Sequence, residues 1–254
     1  MLGLADSITV ALFDLDGVLT DTASVHMTAW REAFNEFLAS AVDDNGNKPA
    51  PFTPADYLAH VDGRPREDGI TSFLSARHIT ADQATIARLA EDKNKRFLAI
   101  LDRDGVTVFP DAEAYLRAAR DAGLGIAVVT SSKNGGPVLE AAGLTKYIEQ
   151  RVDGNVIAER GLAGKPAPDS FLLGAELMGV GPAAAAVFED AVSGVAAGSA
   201  GDFAAVVGVD RTAGAGSEPS KHAKALAGAG ATVVVTTLDD LRTGATGPTE
   251  GAPQ

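Results

Sequence analysis

A doubly wound parallel α/β sheet, interrupted after its first strand by a block of helices, is the fold class this sequence predicts. Three observations lead there. Short apolar runs alternate with helix-like stretches, the pattern of parallel βαβ units. Glycine and proline punctuate the joins, as at Pro110, Gly123, Pro166 and Pro168. Between residues 24 and 106 the alternation gives way to helix after helix.

The elements follow in order. Residues 8–13 read as a buried strand, ending abruptly on Asp14. The stretches 25–38, 54–60, 67–76 and 81–101 then read as helices, with 41–51 as a polar loop among them. The rhythm returns with a helix over 111–122 and a strand over 124–130, followed by helices over 135–142 and 168–178. Strands over 185–188, 204–209 and 232–235 complete the sheet, with 208–230 read as loops and one weak helix. The expected division is therefore a core from 1–23 and 107–242, an inserted helical domain over 24–106, and a Gly/Pro/Thr-rich disordered tail over 243–254.

A chain of 254 residues with 46% hydrophobic content can build a core domain carrying a smaller one. It has no cysteine, which excludes disulfides, thiolate metal sites and a cysteine nucleophile. A formal net charge of −13 argues against a nucleic-acid partner, whose phosphates favour basic surfaces. No apolar stretch approaches a bilayer span, and no signal-peptide pattern opens the chain, so no membrane partner is expected. A cytoplasmic monomer is the expectation.

In open parallel sheets, ligands bind at the carboxyl ends of the strands. The first strand ends in Asp14-Leu15-Asp16-Gly17, and the 124–130 strand in Thr130-Ser131-Ser132-Lys133-Asn134. Gly164-Lys165-Pro166 precedes the 168–178 helix, and the 185–188 strand ends in Glu189-Asp190. One sheet edge thus gathers carboxylates, hydroxyls and an ammonium. Four carboxylates brought together call for a cation, and all-oxygen ligation suits Mg²⁺. Thr130 and Lys165 suit a phosphoryl group, so a carboxylate nucleophile aided by metal and lysine is a coherent chemistry. Asp16 is placed to exchange a proton with a substrate hydroxyl. Each piece alone has a plainer reading: Asp-x-Asp and Glu-Asp also serve as turns or helix caps, and a lone lysine as a solvated surface group. Their joint arrival at successive strand ends favours the chemical reading.

These motifs resemble those of the haloacid dehalogenase superfamily, whose phosphoryl-transfer enzymes have a Rossmann-like core. The likeness rests on Phe13-Asp14-Leu15-Asp16-Gly17-Val18-Leu19-Thr20-Asp21-Thr22, Val129-Thr130-Ser131-Ser132, Lys165-Pro166-Ala167-Pro168-Asp169 and Phe188-Glu189-Asp190-Ala191-Val192-Ser193-Gly194. It implies that Asp14 forms an aspartyl-phosphate and that Asp16 is the general acid/base. It also implies phosphate binding by Thr130, Ser131 and Lys165. Mg²⁺ would be held by Asp14, the Asp16 carbonyl, Asp190 and, directly or through water, Glu189. The inserted helices match the family's cap domain.

Within the superfamily, the details are similar to the β-phosphoglucomutase group. His26 and Trp30 follow the first motif, Val61-Asp62-Gly63-Arg64-Pro65-Arg66 resembles the group's specificity loop, and Ser132-Lys133-Asn134 its second-motif extension. Substrate contacts implied by this likeness are His26, Trp30, Gly63, Arg66, Lys93, Ser132, Lys133 and Asn134. Their plainer readings are helix packing for His26, core packing for Trp30, and a solvated helix face for Lys93 within the charged run 91–96. The sequence departs from the group at Asp62 and Gly69, where a lysine and a serine are usual. The implied activity interconverts β-D-glucose 1-phosphate and glucose 6-phosphate, with a sugar bisphosphate intermediate. A sugar-phosphate phosphatase using the same Asp14 is the alternative. A non-enzymatic phospho-receiver fits less well, because such a domain has no reason to carry the inserted helices.

Overall fold

The computed structural model describes residues 2–61, 66–212 and 219–243. The chain divides into two compact units, Met1–Asp21 with Val106–Gln254, and Thr22–Gly105.

The first unit begins with β1 (Val10–Phe13), all four residues buried, and continues to the two-residue β2 (Thr20–Asp21). The chain then enters the second unit. There α1 (Ala23–Ser40) buries Val25, Ala29, Trp30, Ala33, Phe34 and Leu38, an i, i+4, i+5 stripe that makes one apolar helix face. The helix expected over 54–60 is two elements: α2 (Pro54–Asp56) passes directly into a π-helical turn, Tyr57–Val61. Thr53 and Asp56 form a reciprocal capping box that fixes the start of α2. Next come α3 (Arg66–Ala76) and α4 (Gln83–Asp104). Asp82 caps α4, its Oδ1 accepting from the Thr85 amide at 2.8 Å. Phe34, Phe52 and Phe73 pack with ring centroids 4.3–5.0 Å apart at the centre of this helical core.

Back in the first unit, β3 (Thr107–Val108) pairs antiparallel with β2. The remaining elements alternate: α5 (Pro110–Asp121), β4 (Gly125–Val129), α6 (Gly135–Ala141), β5 (Gln150–Val152), α7 (Gly154–Glu159), α8 (Asp169–Leu177), β6 (Ala185–Glu189), α9 (Val192–Ala200), β7 (Ala205–Val209), α10 (Lys221–Gly228), β8 (Val233–Val235) and α11 (Leu238–Thr243). The six-stranded sheet runs in the order β5-β4-β1-β6-β7-β8, and every pairing within it is parallel. Apart from the edge strand β5, its strands are continuous apolar runs because helices cover both faces. On one face Leu12, Val129 and Val187 pack with Phe171 of α8 and Val195 of α9. On the other, Phe13 and Phe188 stack at 4.3 Å, and Tyr115 of α5 meets Phe188 edge-on at 5.4 Å.

The strand order places the switch of winding direction beside β1, between β4 and β6. From β1 the chain winds outward through β4 and β5, then returns to β6 on the other side and continues through β7 and β8. A crevice at the carboxyl ends of β1 and β6 is where such sheets bind ligands. Register brings Phe13 level with both Val128 and Phe188, so Asp14, Val129 and Glu189 share one level.

Gly63 of the expected specificity loop, with Asp62 and Arg64, lies outside the described residues, as does the expected tail beyond Thr243. No helix among the described residues is long and apolar enough to cross a membrane.

Candidate active site at the carboxyl edge of the sheet

Asp14 continues β1 by one residue, its amide donating to the Phe188 carbonyl at 2.9 Å, and it is buried. The chain then turns sharply. Gly17 donates to the Thr20 carbonyl at 2.8 Å, while the Leu19 and Thr20 amides both reach the Leu15 carbonyl at 3.0 Å. This tight loop carries Asp16. It needs glycine at Gly17 for two reasons: φ is +84°, and a Cβ there would overlap the Asp190 carboxylate.

Lys165 is the cation of this edge. Its Nζ donates to Asp14 Oδ1 at 2.6 Å, Glu189 Oε1 at 2.7 Å and the Val129 carbonyl at 3.0 Å, so all three protons have acceptors. All three side chains of the triad are at most 10% exposed. Burial alone would lower the lysine's pKa, but the two carboxylates outweigh it and hold the ammonium charged. Burial also pushes Glu189 up to about 7, against the pull of Lys165 and with the push of Asp14. The other oxygen of Glu189 accepts from the Ala191 amide at 2.8 Å. Its carboxylate lies against Gly194 in the first turn of α9, where a Cβ would overlap it.

Asp190 is the carboxyl whose ionisation its surroundings oppose most. Burial, then Glu189 and Asp14, raise its pKa well above the usual carboxylate range. Among the described residues no three acidic or histidine side chains converge into a ready-made metal cluster. The donor set nevertheless fits Mg²⁺, which takes few protein carboxylates and keeps several waters. One ammonium set against four neighbouring carboxylates leaves a deficit that a divalent cation removes.

The second-motif loop follows β4. Thr130 is buried, its hydroxyl 3.4 Å from Asp16 Oδ2 and accepting from the Ser132 amide at 3.1 Å. Ser132 Oγ in turn accepts from the Asn134 amide at 3.1 Å, and Asn134 is buried. Ser131 and Lys133 are exposed at the tip. The start of α7 clasps this loop from behind: Gly154 donates to the Ser132 carbonyl at 2.9 Å, and Asn155 Nδ2 to the Lys133 carbonyl at 2.8 Å.

The second unit has its own buried polar centre. Lys93 is 2% exposed, so the solvated reading of the charged run fails at this residue, while Glu91 and Lys95 beside it form an exposed pair. Lys93 Nζ lies 2.7 Å from His26 Nδ1, 4.9 Å from the Phe97 ring centroid and 5.2 Å from that of Trp30. The His26 ring stacks on Phe97 at 4.4 Å. Burial, then the charges of Lys93 and Arg66, lower the His26 pKa to about 3, so the imidazole is neutral at physiological pH. With an ammonium at Nδ1, that nitrogen accepts and Nε2 carries the ring proton. Trp30 is buried in the helical core, stacked on Phe34 at 5.0 Å. Arg66 is anchored on α4 by two neutral acceptors, the Ala90 carbonyl at 3.3 Å and Asn94 Oδ1 at 3.0 Å.

The sequence model of the haloacid dehalogenase-like hydrolases matches residues 8–202. The chain belongs to this family. A β-phosphoglucomutase of Mycobacterium tuberculosis is 50% identical over 251 residues, covering 95% of this chain and 94% of that protein. Hexitol phosphatase A of Escherichia coli is 34% identical over 193 residues, 74% of this chain and 77% of its own length. Among solved structures, a haloacid dehalogenase family hydrolase of Deinococcus radiodurans R1 with bound phosphate and sodium is similar at a TM-score of 0.69. It is 28% identical, with 95% of this chain and 96% of that chain covered.

Two residues that no family motif contains also reach this edge. Arg211, just past β7, donates through Nη2 to the Val18 carbonyl at 2.8 Å and pairs with Asp111 at 2.6 Å, its guanidinium 4.2 Å from the Phe109 centroid. It thereby braces the loop that carries Asp16. His222 reaches the Asp190 carbonyl. Both act on backbone carbonyls, which leaves no signature in residue type or spacing.

Proposed function

We propose that this family member is a sugar-phosphate mutase that interconverts β-D-glucose 1-phosphate and glucose 6-phosphate through glucose 1,6-bisphosphate. The observation that carries the phosphoryl chemistry is the Asp14–Lys165–Glu189 chain at the winding switch, with Asp16 one turn away. An Asp14 carboxylate oxygen attacks the phosphorus of the bisphosphate, and the phosphorus–oxygen bond to the sugar breaks. Asp16 gives a proton to the departing sugar oxygen. In the return step Asp16 takes the proton from the 6-hydroxyl of an incoming β-glucose 1-phosphate, whose oxygen attacks the phosphorus, breaks its bond to Asp14 and regenerates the bisphosphate. Thr130, Ser131 and Lys165 hold the transferring group. Mg²⁺ bound by Asp14, the Asp16 carbonyl, Asp190 and Glu189 would neutralise charge on the phosphoryl oxygens.

Isomerisation needs a grip on the phosphate that does not react. Arg66, a planar fork held by neutral acceptors, is our candidate for it, with Lys133 and Asn134 assisting. His26, Lys93 and Ser132 complete the proposed substrate contacts. Trp30 supports this reading chiefly through the ammonium it packs against. The 50% identical M. tuberculosis relative supports the mutase reading over the hydrolytic one.

A sugar-phosphate phosphatase with the same nucleophile is the second reading, favoured by the likeness to hexitol phosphatase A. The two separate in one assay with β-glucose 1-phosphate, Mg²⁺ and a trace of glucose 1,6-bisphosphate. The mutase reading expects glucose 6-phosphate with little free phosphate. Stoichiometric phosphate without glucose 6-phosphate would establish the phosphatase instead.

A further inference from the structure

The peptide joining Asp190 to Ala191 is held from both ends. Its N–H donates to Glu189 Oε2 at 2.8 Å, and its carbonyl lies 2.7 Å from His222 Nε2. A carbonyl oxygen only accepts, so His222 is the donor through Nε2. Turning this peptide over would aim its carbonyl at the Glu189 carboxylate and leave the imidazole without its acceptor. The orientation of the plane is therefore set jointly by Glu189 and by a side chain 32 residues further along the chain.

His222 is itself rigidly mounted. It is the second residue of α10, directly after Ser220, whose hydroxyl caps the helix by accepting from the Ala223 amide at 2.9 Å. Ser220 Oγ also donates to Asp210 Oδ2, and Asp210 is a buried residue that continues β7. Its other oxygen, Oδ1, accepts from the Thr212 amide at 3.0 Å and the Thr212 hydroxyl at 2.6 Å. The chain β7–Asp210–Ser220–α10–His222 thus ties the sheet to the Asp190 main chain. That main chain lies between two carboxylates with narrow room: Glu189 against Gly194 and Asp190 against Gly17.

We propose that His222 is a positioning residue for the divalent-cation site, fixing the Asp190–Ala191 peptide so that the Glu189 and Asp190 carboxylates face the cation together. This rests on the reading above, in which Asp190 and Glu189 hold that cation. Groups that orient metal ligands typically change affinity by about 10–100-fold when removed.

The test uses the full chain with Mn²⁺ alone, no substrate, and the free ion followed by electron paramagnetic resonance. Four variants are compared with the parent: Asp190→Asn, His222→Leu, His222→Asn and His222→Gln. The glutamine amide nitrogen extends about as far as Nε2 and can replace the donor, whereas the asparagine amide falls short. Expected are loss of binding in Asp190→Asn, weakening of about tenfold or more in His222→Leu and His222→Asn, and near-parental affinity in His222→Gln. Should the leucine variant fail to fold, the asparagine and glutamine pair still decides. Parental Mn²⁺ affinity in His222→Asn, with binding lost in Asp190→Asn, would overturn the inference and leave the site reading intact. Equal weakening in the asparagine and glutamine variants would also overturn it, since the donor would then not matter. Parental affinity in Asp190→Asn would instead remove the site reading itself, and this inference with it.

Discussion

Each unit buries a lysine, and the two are used in opposite ways. In the first unit Lys165 sits between Asp14 and Glu189, and the neighbouring carboxylates overcome the desolvation that would otherwise discharge it. In the second, Lys93 lies against an imidazole and two aromatic faces, and burial, then this ammonium, lowers the His26 pKa to about 3. One buried ammonium is kept charged by the two carboxylates it binds and fixes them in place; the other adds to the burial that keeps a histidine neutral, and sets its tautomer. Burial of a charge is thus no single signal: what it does depends on the groups packed against it.

The largest expected effect breaks the first half of this contrast. Lys165→Met leaves two carboxylates facing each other in a buried site, and removing one partner of a buried pair costs about 3–5 kcal/mol. Thermal unfolding at pH 7 should show a corresponding fall in Tm together with loss of turnover. An unchanged Tm would mean that the pair does not hold the sheet edge together.

A smaller effect tests the second half. The folded pKa of His26 lies below its unfolded value of 6.5, so the unfolded chain binds the extra proton. Its contribution is neutral above pH 6.5 and becomes increasingly destabilising as pH falls from 6.5 towards 3. The slope approaches about 1.4 kcal/mol per pH unit at most. His26→Gln should flatten the loss of stability between pH 6.5 and 5, measured by denaturant unfolding. Lys93→Met should raise the His26 pKa only in part, because burial is the larger cause; proton NMR of the imidazole reads this directly. A parent-like slope in His26→Gln would show that the histidine titrates normally.

The smallest effect concerns the loop behind Lys133. Asn155→Ala removes one hydrogen bond to the Lys133 carbonyl, about 1 kcal/mol. If that loop holds the phosphate that does not react, KM should rise a few-fold while kcat changes little. A selective fall in kcat would place the loop in the chemical step instead.

Five of the six sheet strands were legible as apolar runs because both faces of a parallel sheet are covered. The strand β5 was not: Gln150 and Arg151 are exposed on this edge, and only Val152 is buried. The ribbon of β2 and β3, two residues per strand, is too short for any periodicity to show. At the site, Asp14, Asp16, Thr130, Glu189 and Asp190 were legible because they lie at or just past strand ends in recognisable runs, and Lys165 because of the Lys-Pro run ahead of α8. Arg211 and His222 were not, since each donates to a carbonyl far away in sequence and any residue supplies a carbonyl. The charged run around Lys93 misleads for a related reason. On the amphipathic helix α4, residues two apart face different sides, so Lys93 is buried while Glu91 and Lys95 are solvated.

The central claim is that Asp14 takes up the phosphoryl group. It is tested most directly by incubating the parent and Asp14→Asn with radiolabelled glucose 1,6-bisphosphate and Mg²⁺, then quenching in acid. The parent should retain label on protein that is lost on brief treatment with base, as an acyl phosphate is, and Asp14→Asn should retain none. Equal labelling of the two proteins would contradict the assignment of Asp14 as the nucleophile.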